Sequence, residues 1–94
     1  MPTQIQTINS ATENPVEEFI HKKINKLEKL YERIENASII LRRTKNNQNH
    51  TEIVEIELLI PGHRLFASNE SEHFEIATDL TIDELNKQLE RYCD

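Results

Sequence analysis

The spacing of hydrophobic residues changes twice along this chain, and the changes divide it into helices and strands. Ile5 and Ile8 alternate loosely with polar neighbours, which predicts a short strand over residues 4–8. Asn14-Pro15-Val16-Glu17 then reads as a helix start. Asn14 can cap free backbone N–H groups, Pro15 suits the first turn, and Glu17 stands where a capping acid reaches back. From there Val16, Ile20, Ile24, Leu27, Tyr31 and Ile34 recur at three- and four-residue steps, with Phe19, Lys23 and Leu30 at the borders. That stripe predicts an amphipathic helix over residues 15–34.

After Asn36 the period shortens. Ile39, Ile40 and Leu41 place a strand at residues 37–45, and the polar run 46–50 reads as a hairpin loop. Residues 52–60 alternate most clearly. Val54, Ile56, Leu58 and Ile60 share one face; Glu55, Glu57 and Leu59 share the other. Pro61-Gly62 fits the centre of a type II turn, where Gly62 supplies the positive φ. Residues 64–68 return as a strand, and Ser71 can cap a second helix. Phe74, Ala77, Thr78, Leu85, Leu89 and Tyr92 supply the apolar face of that helix, with Leu80 and Ile82 beside it.

The order β-α-β-β-β-α implies an α+β fold. A helical crossover between the first two strands makes them parallel if they are neighbours, and two hairpins make the rest of the sheet antiparallel. Both helices must bury a stripe, and only one sheet face is strongly apolar. The expectation is a four-stranded mixed sheet with two helices packed on one face and the Glu55/Glu57 face wet. Double-stranded RNA-binding domains share much of this layout.

Composition narrows the chemistry. The 94 residues suit a single domain, residues 1–94, with a core just large enough to fold alone. No apolar run approaches the length of a membrane span, and residues 1–10 lack the pattern of a secretory signal. The lone Cys93 precludes a disulfide within the chain, so the expected setting is the reducing cytoplasm. His21, His50, His63 and His73 are scattered, without metal-ligand spacing. Asp79 and Asp83 stand one helical turn apart, but a catalytic pair needs burial in a cleft. No Gly-rich phosphate loop or nucleophile motif is present. The reading is a non-enzyme with no metal, no cofactor and no small-molecule substrate.

The formal net charge of −6 argues against strong non-specific nucleic-acid binding, yet a sum hides segregation. Lys22, Lys26, Lys29 and Arg33 recur at steps of four, three and four along one flank of the first helix, with Lys23 nearby. Such a row can follow a phosphate backbone. Spacing alone favours the other reading, a solvated face held by pairs such as Glu18–Lys22 and Glu28–Arg33. Arg42, Arg43 and Lys45 form a second cluster at a strand end, where cations also protect a sheet edge. The second helix is acidic: Glu72, Glu75, Asp79, Asp83, Glu84, Glu90 and Asp94 face only Lys87 and Arg91. Glu72 and Glu75 suit the dipole of its first turn, and Asp83–Lys87 is a favourable four-residue pair. Charge is expected to separate across the layers, with cations on the helices and Glu55 and Glu57 on the outer sheet face.

Two segments carry a family resemblance. One is Phe19-Ile20-His21-Lys22-Lys23-Ile24-Asn25-Lys26-Leu27-Glu28. The other runs from Ile60-Pro61-Gly62 through Ala67-Ser68 and Phe74-Glu75-Ile76-Ala77-Thr78-Asp79 to Leu85-Asn86-Lys87-Gln88-Leu89. They resemble the ribosome hibernation-promoting factors, also called ribosome-associated translation inhibitors or sigma-54 modulation proteins. That family shows a strand ending in Ala-Ser, a helix with an aromatic residue and Ala before an Asp, then Lys-Leu-Glu-Arg-Gln-Leu. The resemblance covers nearly the whole chain and implies a stress-response factor on the small ribosomal subunit. It implies occupancy of the decoding channel, where messenger and transfer RNA would sit, through basic residues on ribosomal RNA phosphates. Carried over, it assigns that contact to Lys22, Lys26, Lys29, Lys87 and Arg91, with Lys23, Arg33, Arg42 and Arg43 as weaker candidates.

The chain departs from the family pattern. Glu84 stands where the motif has its first Lys, and Asn86 where it has Glu. The sequence ends at Asp94 where the family usually continues into a Lys-rich tail and long members add a C-terminal domain, so the expectation is a short form or a truncated relative. Each lost phosphate contact weakens salt-dependent binding. Two functional classes therefore stand: a ribosome-binding translation inhibitor that acts by occupancy, and a non-catalytic protein-interaction module, such as a homodimer through a sheet edge or the Glu-rich face. A contiguous positive helix face favours the first; interleaved charge favours the second.

Overall fold

The computed structural model describes residues 3–8, 14–46 and 49–92. The expectations for residues 1–2, Asn47, Gln48, Cys93 and Asp94 lie outside them, as do those for the side chains of Ile8, Asn14, Pro15 and Lys45. The elements are β1 (Thr3–Ile8), α1 (Asn14–Leu30), β2 (Asn36–Asn46), β3 (Asn49–Ile60), β4 (His63–Ser71) and α2 (Phe74–Tyr92). The sheet order is β1-β2-β3-β4. β1 pairs with β2 in parallel, and the other two pairings are antiparallel. The predicted fold class holds.

Strand alternation sets the core. Ala37, Ile39 and Leu41 on β2, Val54, Ile56, Leu58 and Ile60 on β3, and Leu65 and Ala67 on β4 all point to one face. Ile20, Ile24 and Leu27 from α1 and Phe74, Ala77, Leu85 and Leu89 from α2 bury against them in one cluster. Ile5, Val16, Tyr31 and Ile82 pack at its margin.

Several boundaries differ from expectation. α1 stops at Leu30, not Ile34, and the last helical bond runs from the Tyr31 N–H to the Leu27 carbonyl at 3.0 Å. A helix through Ile34 would leave Glu35 alone to reverse the chain into β2. Instead a turn carries the chain round, Ile34 still reaches the core, and Tyr31 is only half-buried. The Glu35 N–H then bonds the Leu59 carbonyl at 2.7 Å and ties the turn to β3.

The pairing of β2 with β3 persists to Asn46 and Asn49, so the strands enter the stretch expected to be loop. Gly62 has φ of 80°, and Ile60 pairs with His63 across the two-residue Pro61-Gly62 turn. β4 runs on past Ser68 to Ser71, so Ser71 precedes the cap position of α2, and its Oγ accepts the His73 N–H at 3.5 Å. Glu72 likewise lies before α2, and only Glu75 sits in its first turn. Tyr92 is 44% exposed and Leu80 45% exposed, off the buried stripe, whereas Thr81 is fully buried on it.

Candidate nucleic-acid interface

α1 buries Ile20, Ile24 and Leu27, and the same helical period turns Lys22, Lys26 and Lys29 to solvent. Among the described residues, no carboxylate lies within ion-pair distance of any of the three. The expected pairs Glu18–Lys22, Glu28–Arg33 and Asp83–Lys87 do not form. Ending α1 at Leu30 takes Arg33 out of helical register with Glu28. Exposed pairs gain too little to hold two long side chains in one geometry. The row therefore stands as open positive charge.

Lys23 behaves differently. Its Nζ crosses to Asp79 on α2 at 3.2 Å and lies 5.3 Å from the centre of the Phe19 ring. The two helices run side by side in the same direction, and a groove of about 260 Å³ follows their seam. Lys26, Leu27 and Leu30 line one wall; Asp79, Ile82, Asp83 and Asn86 line the other. Lys87 and Arg91 are exposed on α2, without a carboxylate partner among the described residues. Arg33 is exposed in the turn after α1. The helix layer thus mixes charge rather than carrying cations throughout. The open row of Lys22, Lys26 and Lys29 shares α1 with Glu17, Glu18 and Glu28, and α2 carries Glu75, Asp79, Asp83, Glu84 and Glu90 beside Lys87 and Arg91.

Arg42 and Arg43 do not join this face. Arg42 lies on the outer sheet face, bonded to Glu55. Arg43 has the inward parity of Ile39 and Leu41, at the strand end, where its Nε donates to Glu52 at 2.5 Å. Glu57 pairs with Arg64 at 3.6 Å. The outer face is therefore a mosaic of paired charge, not a purely acidic surface, with Ile40 and Ile53 half-buried and Phe66 exposed among the pairs.

Further contacts were not anticipated. Glu52 is 2% exposed, held by Arg43 with His50 Nε2 at 3.5 Å. The strand period contains the signal, because Glu52 shares the parity of Val54 and Ile56. Thr81 Oγ1 donates to the Ala77 carbonyl at 2.7 Å and accepts the Asn69 amide at 3.2 Å, joining α2 to β4. His63 and Tyr92 bring their rings to 4.2 Å at 33°. No sequence signal links those two, because they are far apart in the chain and meet only when α2 folds back along β4.

The comparisons agree with this architecture. The family model described as Sigma 54 modulation protein / S30EA ribosomal protein matches residues 3–94. A ribosome hibernation promoting factor of Pseudomonas putida is 30% identical over 78 residues, 83% of this chain and 72% of that protein. A ribosomal subunit interface protein from Coxiella burnetii superposes with a TM-score of 0.85 at 25% identity, covering 98% of this chain and 97% of that one. The N-terminal domain of Thermus thermophilus Protein Y shares the fold, with a TM-score of 0.80 at 21% identity over 95% of this chain and 94% of that one. The resemblance carried by the segments around Lys22 and Lys87 therefore holds along the described sheet and both helices, and the chain belongs to the Sigma 54 modulation protein / S30EA ribosomal protein family.

Proposed function

We infer that this chain is a ribosome-associated hibernation factor of the cytoplasm. It binds the small ribosomal subunit in the decoding channel and blocks messenger and transfer RNA by occupancy, with no catalytic step. The carrying observation is the open row Lys22, Lys26 and Lys29 on α1, free of carboxylate partners among the described residues. Family membership and the names of the Pseudomonas putida and Coxiella burnetii relatives support the same reading. Lys87 and Arg91 extend the contact along α2. Asp79 and Asp83 oppose it and set a limit on affinity, because carboxylates repel the same phosphates that the row attracts.

The test is co-sedimentation with small subunits at low and physiological salt, beside cell-free translation. Binding should weaken as salt rises, with a logarithmic slope of about 0.7–0.9 per phosphate contact. Lys26→Glu with Lys29→Glu should abolish inhibition and leave the fold intact, because both side chains are exposed. Failure of the wild type to sediment with small subunits at low salt would refute the ribosome reading. The interaction-module alternative then rests on the outer sheet face, where exposed Phe66 sits among paired charges.

A further inference from the structure

The end of the molecule where α2 terminates carries an aromatic step. His63 has the inward parity of Leu65 and Ala67 but, at the last rung of the sheet opposite Ile60, it is exposed. Tyr92, at the last position of α2, closes over it with ring centres 4.2 Å apart. The pair stays open to solvent: His63 is exposed and Tyr92 is 44% exposed. A ring pair that served only to seal the core would bury its faces as Phe74 does, at 6%. Arg91 precedes Tyr92, Lys87 lies one turn earlier, and both lack carboxylate partners among the described residues.

An exposed aromatic surface at the helix end that also carries two unpaired cations matches the chemistry of single-stranded RNA, whose bases stack on rings while its phosphates meet Arg and Lys. We propose that His63 and Tyr92 form a stacking platform for one unpaired RNA base, with Arg91 and Lys87 on the flanking phosphates. This deepens the ribosome reading above and rests on it for its natural ligand. The stack itself differs in kind from the α1 row, because stacking discriminates unpaired from helical RNA and releases no counterions, whereas Arg91 and Lys87 contribute as the row does.

Salt separates the two kinds of contact. Small-subunit affinity is measured over a range of salt for the wild type and for Tyr92→Phe, Tyr92→Leu and Lys87→Ala. Tyr92→Phe keeps a π face and should bind as the wild type does. Tyr92→Leu keeps apolar cover over His63 but no π face, and should lose roughly 5- to 150-fold with an unchanged salt slope, the loss expected for one stacked base. Lys87→Ala should instead lower the slope by about 0.7–0.9. Equal binding by Tyr92→Leu and wild type overturns the platform; so does a loss by Tyr92→Leu that comes with a changed slope.

A second arm needs no ribosome. In a Tyr31→Phe background Tyr92 is the remaining tyrosine, and the chain has no Trp. Short single-stranded oligoadenylate at low salt should quench its fluorescence, and a duplex of equal charge should not. Quenching without sedimentation would defeat the ribosome reading and leave the platform standing. Sedimentation without quenching would do the reverse.

Discussion

Gln88 on α2 donates its side-chain amide to the backbone carbonyl of Phe66 on β4 at 2.9 Å. β4 is an edge of the sheet, and an edge strand offers unpaired backbone groups to any passing chain. Helix and edge are thereby joined by a side chain that occupies one of those groups. The same residue sits between Leu85 and Leu89, whose burial fixes where Gln88 emerges.

Gln88→Ala should therefore act twice. Loss of the hydrogen bond should cost about 1 kcal/mol. The freed edge, beside exposed Phe66, should bring concentration-dependent self-association through β4. Denaturant unfolding reads the first effect and sedimentation velocity at rising concentration reads the second. A monomer at every concentration would show that the edge is protected by other means.

Two buried threonines should respond in opposite directions. Thr78 and Thr81 are both fully buried. The Thr78 hydroxyl has no partner among the described residues, whereas the Thr81 hydroxyl bridges Ala77 and Asn69. Thr78→Val should stabilise by about 1 kcal/mol, because it removes a desolvated unpaired group. Thr81→Val should destabilise by about 1–3 kcal/mol, because it orphans the Asn69 amide and cuts the tie between α2 and β4. Paired thermal melts decide both.

Arg43 should prove a stability residue. Its guanidinium holds the buried carboxylate of Glu52, whose second oxygen has no partner among the described residues. Arg43→Ala should cost about 2–3 kcal/mol, below the 3–5 kcal/mol of a fully buried pair because Arg43 is half exposed. Arg43→Leu with Glu52→Leu should recover most of that loss. Ribosome affinity of the double variant, measured below its melting temperature, should match the wild type, since neither residue lies on the helix face.

The carboxylates of α2 should limit RNA affinity. Asp79→Asn releases Lys23, and Asp83→Asn removes a charge from the groove wall opposite Lys26. Together they should raise small-subunit affinity severalfold at low salt, with the gain shrinking as salt screens the repulsion. Unchanged affinity would show that phosphates do not approach this seam.

Core packing gives the least ambiguous expectation. Leu27 is 4% exposed between α1 and the sheet. Leu27→Ala should cost about 2–5 kcal/mol and lower the melting temperature markedly. An unchanged melt would mean that the α1 stripe does not face the sheet.

The contiguous Ile39-Ile40-Leu41 left the inward face of β2 to the pairing with β3. Periodicity alone determined the element order, the inward face of β3, the α1 stripe and the outward row of Lys22, Lys26 and Lys29. Those are local properties: a period of two or of 3.6 fixes which side chains share a face before any long-range contact forms. The Pro61-Gly62 turn was legible for the same reason, since Gly62 takes a positive φ that few other residues tolerate. What neighbours each face meets is a different matter. The Lys23–Asp79 bridge, the Gln88–Phe66 bond, the Thr81–Asn69 tie and the His63–Tyr92 rings all join residues from separate elements. The end of α1 was decided the same way: its apolar stripe continues to Ile34, but Glu35 had to meet Leu59 in the sheet, and that closure stopped the helix at Leu30. Such contacts depend on how α2 folds back along β4 and alongside α1, a geometry set by packing the whole core, and no spacing within either segment encodes it.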